Sequence, residues 1–258
     1  MTEEDIIGAG PEGFRGDRLD SLLSTGYFRA GTRMYFATRI LRDFDFEKFE
    51  YVYNGVFKLR VNIRDMQPLA EHHRIRKIQD RFEARVLPAT IHAESEALYA
   101  AYHAHIAFDT ASTCSEYLFQ GESGDPFDSR MIEIREEGSL IAVGYFDKGR
   151  DALMGVLNVY HPERRKFSLG KYLILLKTDL AREWGMTYFY PGSIYIGDDK
   201  TDYKYFLGKE NMEVYLPVEK IWQPLAEWPK DRLESYSLEL FKDNGGLRGF
   251  FSGVGETD

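Results

Sequence analysis

Tyr160-His161-Pro162, followed by Phe167-Ser168-Leu169-Gly170-Lys171-Tyr172, is the stretch of this sequence that decides the fold. Two runs rich in apolar residues precede it, residues 140–147 and 152–160, and a charged turn separates them. Short apolar runs bounded by Gly and Asp are typical of strands that are buried in a sheet. The two runs therefore predict a buried hairpin that leads into the stretch.

The same stretch begins a helix. Between Ser168 and Gly185, leucines recur at helical spacing on one face: Leu169, Leu173, Leu176 and Leu180. Ser before this segment and Gly after it predict a helix that is capped at both ends. A short aromatic strand over residues 187–190 follows and ends at Pro191-Gly192. This order predicts an α+β fold of the acetyltransferase (GNAT) type, with a mixed sheet flanked by helices and a second strand that splays from the next.

The loop before the helix bears on the acyl donor. Acetyltransferases that use coenzyme A need two glycines here, so that backbone N–H groups can wrap a pyrophosphate. Residues 165–170 contain one glycine and the bulky side chains of Phe167 and Leu169. A pyrophosphate site is therefore poorly supported, whereas the helix N-terminus can still hold a ribose hydroxyl, a lone phosphate or a developing oxyanion.

Five linked motifs carry a resemblance to a known family. They are Asp151-Ala-Leu, Tyr160-His-Pro, Ser168-Leu-Gly, Tyr188-Phe-Tyr-Pro-Gly and Asp202-Tyr-Lys-Tyr. In this order they resemble the aminoacyl-tRNA–protein transferases, the arginyl- and leucyl-transferases that extend acidic N-termini in the N-degron pathway. The resemblance implies an enzyme that moves arginine or leucine from charged tRNA to the α-amine of an acidic N-terminal residue. It also implies aminoacyl-tRNA as co-substrate, bound by its 3′ end and acceptor stem, and no other cofactor.

The chain departs from this family near its start. Gly26, Arg29, Gly31 and Tyr35 fit the family pattern, but the cluster of cysteines that follows there is missing. The single cysteine, Cys114, excludes an internal disulfide or a cysteine-based metal site, and we predict no metal site. The chain therefore resembles a divergent member. Two alternatives stay open, tRNA-dependent aminoacylation of a small amine or peptide metabolite and N-acetylation from coenzyme A.

Three residues are candidates for catalysis. Tyr160, at the end of the splayed strand, can donate to the oxyanion or relay a proton, and packing as a core aromatic residue is the alternative. Ser168 is first a helix N-cap and can also face the donor. Asp151 is a common residue type in hairpin turns. Its match to the family motif also implies a role in holding the acceptor amine.

The other candidates are assigned to binding of the charged tRNA or the acceptor: Leu169, Gly170, Tyr172, Tyr188, Tyr190, Tyr195, Tyr203, Lys204, Arg29, Arg74, Arg76 and Lys77. Backbone N–H groups at the helix start can bind a phosphate or the oxyanion. The tyrosines can stack on the terminal adenosine or pack in the core. Lys204 suits an acidic acceptor or a phosphate. The basic residues of a predicted helix over residues 69–85 meet acceptor-stem phosphates or form a solvated face.

Composition sets outer limits on class and location. At 258 residues and 43% hydrophobic content the chain is globular, and no apolar run reaches the length of a membrane span. The acidic N-terminus argues against a secretory signal, so we expect a cytoplasmic protein without a membrane partner. The net charge of −9 argues against a protein coated in nucleic acid. We predict an N-terminal lobe (1–90), a transferase domain (91–228) and a C-terminal extension (229–258).

Overall fold

The computed structural model describes residues 6–45, 50–78, 81–106, 110–122 and 124–243. Its strands are β1 (Ile6–Ile7), β2 (Phe28–Ala30), β3 (Arg33–Tyr35), β4 (Arg39–Asp45), β5 (Glu50–Asn62), β6 (Glu83–Pro88), β7 (Ser129–Glu136), β8 (Ser139–Lys148), β9 (Ala152–Tyr160), β10 (Tyr188–Ile196), β11 (Met212–Leu216) and β12 (Ile221–Pro224). Its α-helices are α1 (Asp17–Ser24), α2 (Ala70–Arg76), α3 (Ala93–His103), α4 (Cys114–Phe119), α5 (Leu169–Glu183) and α6 (Lys230–Asp243). Two of its 3-10 segments matter below, Pro162–Phe167 and Asp199–Leu207.

One mixed sheet dominates the described part of the chain. Its nine strands follow the order β12-β11-β5-β10-β9-β8-β7-β6, with β4 paired to β5, and β1-β3-β2 form a separate small sheet. The predicted mixed sheet flanked by helices is confirmed. Strand β5, from the predicted N-terminal lobe, lies between β10 and β11. The sheet thus crosses residue 90, and the proposed domain boundaries stay predictions.

The predicted hairpin and helix form the centre of this sheet. β8 pairs antiparallel with β9, and α5 connects β9 to β10, which pairs with β9 in parallel. Parallel neighbouring strands need such a crossover connection, because a tight turn reverses the chain direction and can join only antiparallel strands. Leu169 and Leu173 of α5 are fully buried against the sheet. Gly185, at φ 69°, stands just past the helix end, where a left-handed residue favours glycine.

β9 and β10 diverge soon after they pair. Their parallel register covers only residues 152–154 and 188–190. Beyond this point β9 stays paired with β8, across a register shift between Tyr145 and Phe146. β10 instead pairs with β5, across a shift between Phe189 and Gly192. The two strands therefore enclose a wedge, the divergence that the order of elements predicted.

Several predicted boundaries are wrong. The helix predicted over residues 69–85 ends at Arg76, and residues 83–85 instead begin β6, which pairs with β7. The strand predicted to stop at Pro191-Gly192 continues to Ile196, because the register shift there removes the need for a ladder N–H at the proline. The extension after residue 228 begins as α6, in which Leu233 is fully buried, and residues 244–258 lie outside the described residues.

Candidate functional site

A cavity of about 370 Å³ occupies the wedge between β9 and β10, and we call it the wedge cavity. Residues 154–158 of β9 form one wall, and residues 189 and 191–193 with Tyr195 form the other. Tyr99 and Tyr102 of α3 cover it, and Tyr203 and Lys204 of the second 3-10 segment close one side. The divergence of the two strands therefore creates the space in which a ligand can meet open backbone.

Three lysines are buried at the wedge cavity in the described part of the chain. Lys58 is 8% exposed, Lys204 is 7% exposed and Lys177 is fully buried. Burial lowers the pKa of Lys58 to about 8, and it lowers that of Lys204 to about 8 against the opposing carboxylate of Asp202. No Asp or Glu is among the described residues that line the cavity. A cavity with cations and no carboxylate is complementary to an anion.

The partners of these lysines differ. Lys177 donates to the carbonyl oxygen of Tyr145 at 2.8 Å, to that of Leu157 at 3.5 Å and to Oδ1 of Asn158 at 2.8 Å. These acceptors lie beside the β8–β9 register shift, where regular ladder hydrogen bonds are interrupted. Burial lowers the pKa of Lys177 to about 7, and Asp147 opposes this. The three acceptors match the three N–H groups of its ammonium form.

Lys58 and Lys204 face rings and the cavity instead. Nζ of Lys58 lies 5.1 Å from the ring centroid of Phe28, and Nζ of Lys204 lies 4.6 Å from that of Tyr203. Lys58 stands directly opposite Ser193 in the β5–β10 ladder. A Cβ atom placed on Gly192 would lie 3.3 Å from Cε of Lys204. Lys58 and Lys204 therefore both lie beside residues 192–193 of β10.

Tyrosines complete the lining of the cavity: Tyr35, Tyr99, Tyr102, Tyr117, Tyr195 and Tyr203. Burial raises the pKa of Tyr102 to about 12 and also raises those of Tyr117, Tyr195 and Tyr203. These phenols therefore stay protonated near neutral pH and can donate hydrogen bonds. Together with the lysines they give the cavity mainly donor groups.

Two further cavities adjoin this one. A cavity of about 790 Å³ near Gly31 and Gln120 shares Tyr117, Val156 and Tyr195 with it. A pocket of about 410 Å³ beside Tyr160 shares Tyr102 and Ile106 with it. The wedge cavity is therefore bordered by two further cavities that share lining residues with it.

Some of the predicted site residues lie at this cavity and its neighbours. Arg29, Tyr195, Tyr203 and Lys204 line the wedge cavity. Tyr160 lines the adjoining pocket, with its ring centroid 5.4 Å from that of Tyr102. Beside it a Cβ atom on Gly170 would lie 3.3 Å from the Tyr160 ring.

Arg29 is held by the protein itself. Its guanidinium forms a 2.7 Å ion pair with Asp147 and donates to Leu118, Gly31 and Ser129. Burial raises the pKa of Asp147, and the positive charge of Arg29 opposes that rise. The side chains are 2% and 0% exposed, so this is a buried ion pair at the rim of the cavity.

The other two predicted catalytic residues lie outside the cavity lining. Ser168 occupies the N-cap position of α5, but the predicted side-chain cap is wrong: its backbone is left-handed, at φ 54°, and its hydroxyl makes no capping hydrogen bond. Asp151 lies at the paired end of β9, away from the wedge, and accepts hydrogen bonds from the backbone N–H and the hydroxyl of Thr187. It therefore ties the start of β9 to the residue before β10.

The remaining candidates are spread over the fold. Leu169 and Tyr172 belong to the main hydrophobic core. Tyr190 is 1% exposed in a second apolar cluster, and Tyr188 lies against it with its ring 4.1 Å from the guanidinium of Arg60. On α2 or at its end are Arg74, Arg76 and Lys77. Arg76 forms a bidentate pair with Asp179, and Arg74 pairs with Glu71.

Lys58 and Lys177 were not among the predicted site residues, but a signal in the sequence could have identified Lys177. Lys177 follows Leu169 and Leu173 at intervals of four residues, so it stands in the buried stripe of α5. A charged residue in such a stripe indicates a buried partner. Lys58 alternates with the apolar residues Phe57 and Leu59. This local pattern alone assigns Lys58 to the solvent-exposed face of a strand.

The described residues contain neither a metal-binding cluster nor a helix suited to crossing a membrane. No group of three or more His, Cys, Asp or Glu side chains in them could hold a metal ion. None of their helices combines the length and the apolar character that crossing a membrane requires.

Comparison with known proteins shows similarity to one family of transferases. Residues 94–212 match the family model described as arginine-tRNA-protein transferase, C terminus. An aspartate/glutamate leucyltransferase of Chromobacterium violaceum is 32% identical over 140 residues, which are 52% of this chain and 56% of that protein. One of Thiobacillus denitrificans is 30% identical over 146 residues, 55% of this chain and 60% of that protein. The chain thus spans between half and two thirds of the length of these relatives.

A solved structure gives a weaker likeness. The C-terminal domain of a putative lysylphosphatidylglycerol synthetase from Agrobacterium fabrum has a TM-score of 0.40 at 13% identity, over 74% of this chain and 66% of that one. This likeness carries no argument about fold or function. The family model and the leucyltransferases confirm the resemblance that the five sequence motifs indicated. Over residues 94–212, the chain is similar to the aminoacyl-tRNA–protein transferase family.

Proposed function

We propose that the protein moves leucine from charged tRNA to the α-amine of an acidic N-terminal residue of a protein or peptide. One observation carries the proposal: in a chain similar to this family, the wedge cavity presents Lys58 and Lys204, and no carboxylate is among its described lining residues. Aminoacyl-tRNA is the co-substrate, and the absence of any other cofactor stays a prediction.

The acceptor follows from the charge of the cavity. An N-terminal Asp or Glu carries a side-chain carboxylate a few ångströms from the amine that must react. Two ammonium groups near Gly192 and Ser193 can hold this carboxylate through charge-assisted hydrogen bonds, which are stronger where water is excluded. The amine is thereby directed into the wedge. The relatives' printed name, aspartate/glutamate leucyltransferase, agrees with an acidic acceptor.

The donor follows from the same lining. A leucyl side chain needs only apolar surface, whereas an arginyl guanidinium needs an acidic partner. Ile174, Val156 and Phe189 supply apolar surface at the cavity, and arginine would meet buried cations there. Leucine is therefore the donor that the cavity favours over arginine.

The chemistry needs no nucleophilic side chain. The amine nitrogen attacks the ester carbonyl carbon, the bond from that carbon to the ribose oxygen breaks, and the amine proton passes to the departing oxygen. Backbone N–H groups of β9 beyond Met154, where β10 has diverged, can stabilise the oxyanion. Of the three predicted catalytic residues, Tyr160 stays in the proposal, as a hydrogen-bond donor in the adjoining pocket. We also propose a GNAT-type sheet, supported by the order β7-β8-β9-α5-β10 and the divergence of its last two strands.

The test is a direct transfer assay with the purified full chain. Radiolabelled leucyl-tRNA and arginyl-tRNA are each incubated with peptides that begin with Asp, Glu, Ala or Lys. We expect label from leucyl-tRNA in the Asp and Glu peptides and little in the others. Label only after addition of a metabolite extract would instead identify a small acceptor, and turnover of acetyl-coenzyme A without tRNA would overturn the donor.

A further inference from the structure

The segment that carries Lys204 into the wedge cavity is held from outside the family-matched region. Asp199–Leu207 contributes Thr201, Tyr203 and Lys204 to the lining. Nζ of Lys230, the first residue of α6, lies 2.6 Å from Oδ1 of Asp199 and 2.5 Å from Oδ2 of Asp202. Lys230 comes after residue 212, where the family match ends. One ammonium group thus bridges two carboxylates of the segment.

Asp202 interacts electrostatically with both Lys230 and Lys204. Its Oδ1 atom is buried and has no hydrogen-bond partner among the described residues. Its negative charge raises the pKa of Lys204, against the larger lowering by burial. The two carboxylates raise the pKa of Lys230 above its ordinary value, although burial lowers it. The negative charge of Asp202 therefore acts on two lysines, Lys230 of α6 and Lys204 at the wedge cavity.

We infer that Lys230 is a positioning residue for the acceptor site: it fixes the 199–204 segment against α6 and directs the charge of Asp202 away from Lys204. Asp202 then compensates the positive charge of Lys204 less, and that charge stays available to a ligand carboxylate. The consequence for catalysis rests on the proposed function, whereas the electrostatic link between the three residues does not.

Other titratable or charged groups lie within this segment or beside it: Asp198, Lys200, Tyr205, Lys209 and His72. Lys200 pairs with Asp198, Nζ of Lys209 lies over the ring of Tyr205, and the His72 ring bonds the carbonyl of Phe206. Among the described residues, Lys230 is the cation in ion-pair contact with Asp202.

The first test measures Lys204 without any transfer assay. Trace labelling of lysines with acetic anhydride from pH 6 to 11, read by mass spectrometry, gives the pH midpoint at which each amine becomes reactive. In the full-length protein we expect a Lys204 midpoint near its pKa of about 8. Lys230→Met should raise the midpoint, which lowers Lys204 labelling at pH 7 by about tenfold for each unit of the rise. Lys230→Arg should leave it unchanged.

A second variant keeps the inference testable if Lys230→Met does not fold. Asp202→Asn removes the shared carboxylate and should move the Lys204 midpoint in the opposite direction, below that of the wild type. Lys220→Met, in the turn between β11 and β12, is the matched control and should change nothing. An unmoved Lys204 midpoint in both Lys230→Met and Asp202→Asn would overturn the inference.

The transfer assay then separates this inference from the function. With Asp-initiated peptides, Lys230→Met should raise KM about tenfold with a smaller change in kcat, and Lys230→Arg should restore it. A shifted midpoint without any transfer activity in the wild type would reject the proposed function and keep the electrostatic link. Transfer with wild-type KM in Lys230→Met would reject the positioning role.

Discussion

The two walls of the wedge cavity treat buried cations in opposite ways. On the β9 side, Lys177 donates to three oxygen atoms and Arg29 is paired with Asp147, so the protein itself satisfies both charges. On the β10 side, Lys58 and Lys204 are equally removed from water, but their recorded contacts in the described structure are with aromatic rings. Burial of a charge without a partner costs free energy that the fold must supply elsewhere. The first pair therefore serves the structure, and the second pair is available to a ligand.

Replacing Arg29 is the strongest test of whether the cations on the β9 side stabilise the fold. Arg29→Met leaves Asp147 buried without its cation, and Oδ2 of Asp147 already has no partner among the described residues. We expect a loss of about 3–5 kcal/mol in the free energy of unfolding, because an uncompensated buried charge remains. Urea denaturation measures it. Arg33→Met, which breaks a pair with side chains 49% and 50% exposed, is the control and should cost less than about 1 kcal/mol.

Replacing Lys177 should cause the second-largest loss of stability, after Arg29. Lys177→Met leaves the carbonyls of Tyr145 and Leu157 and the amide of Asn158 without their donor. We expect a loss of about 2–4 kcal/mol, since each buried acceptor left unsatisfied carries a desolvation cost. Lys177→Arg should recover part of it. An unfolding midpoint within error of the wild type would show that the β9 wall does not depend on this lysine.

The β10 wall should respond in activity and not in stability. Lys58→Met and Lys204→Met remove buried cations for which the described structure shows only ring contacts, so the free energy of unfolding should stay the same or rise. We expect kcat/KM for Asp-initiated peptides to fall about 10- to 100-fold through KM, because charge-assisted hydrogen bonds to the acceptor are lost. If both variants unfold as Lys177→Met does, the distinction between the two walls fails.

The pH dependence of stability tests both walls together. Burial holds the pKa values of Lys58, Lys204 and Lys177 at about 8, 8 and 7 in the folded protein, below the ~10.4 of an unfolded lysine. Between these values the unfolded chain binds more protons, so stability should rise with pH from about 7 to 10, by on the order of 1 kcal/mol per pH unit for each of the three lysines.

Buried tyrosines reverse the trend at higher pH. Burial raises the pKa of Tyr102 and of Tyr190 to about 12, so above pH ~10 the unfolded phenols lose protons first and stability should fall. Urea midpoints at each pH give the curve, and the double variant Lys58→Met, Lys204→Met should flatten its rising part. A curve that falls steadily between pH 7 and 9.5 would contradict the burial of these lysines.

The smallest effect is expected far from the cavity. Arg76 forms a pair with Asp179 in which the side chains are 24% and 40% exposed. Arg76→Ala should cost about 1 kcal/mol or less in stability. If the predicted contact of α2 with acceptor-stem phosphates exists, the variant should weaken binding of charged tRNA and reduce its salt dependence by about one phosphate contact. Filter binding at several salt concentrations measures this, and Arg18→Ala on α1 is the control.

Local pattern predicted the centre of the fold but only part of the site. The hairpin, α5 and the start of β10 follow from apolar runs and caps within one continuous segment, because short-range periodicity encodes them. The predicted Ser168 cap was wrong, since the backbone there is left-handed and the hydroxyl makes no capping hydrogen bond. Lys204 was found because it belongs to a family motif. Lys58 could not be found, because the burial of its strand face depends on Phe28 and on β10, which lie far away in sequence.

The position of β5 has a consequence for how the molecule can be divided and how it folds. Its residues pair with β10 and β11, more than one hundred positions later in the chain, so the middle of the sheet closes only after nearly the whole polypeptide is available. A fragment cut to the family-matched residues 94–212 would keep the wedge motifs but expose the hydrogen-bonding groups of β10 to other chains, a template for aggregation. The segment that matches the family model is therefore smaller than the part of the chain that the central sheet requires.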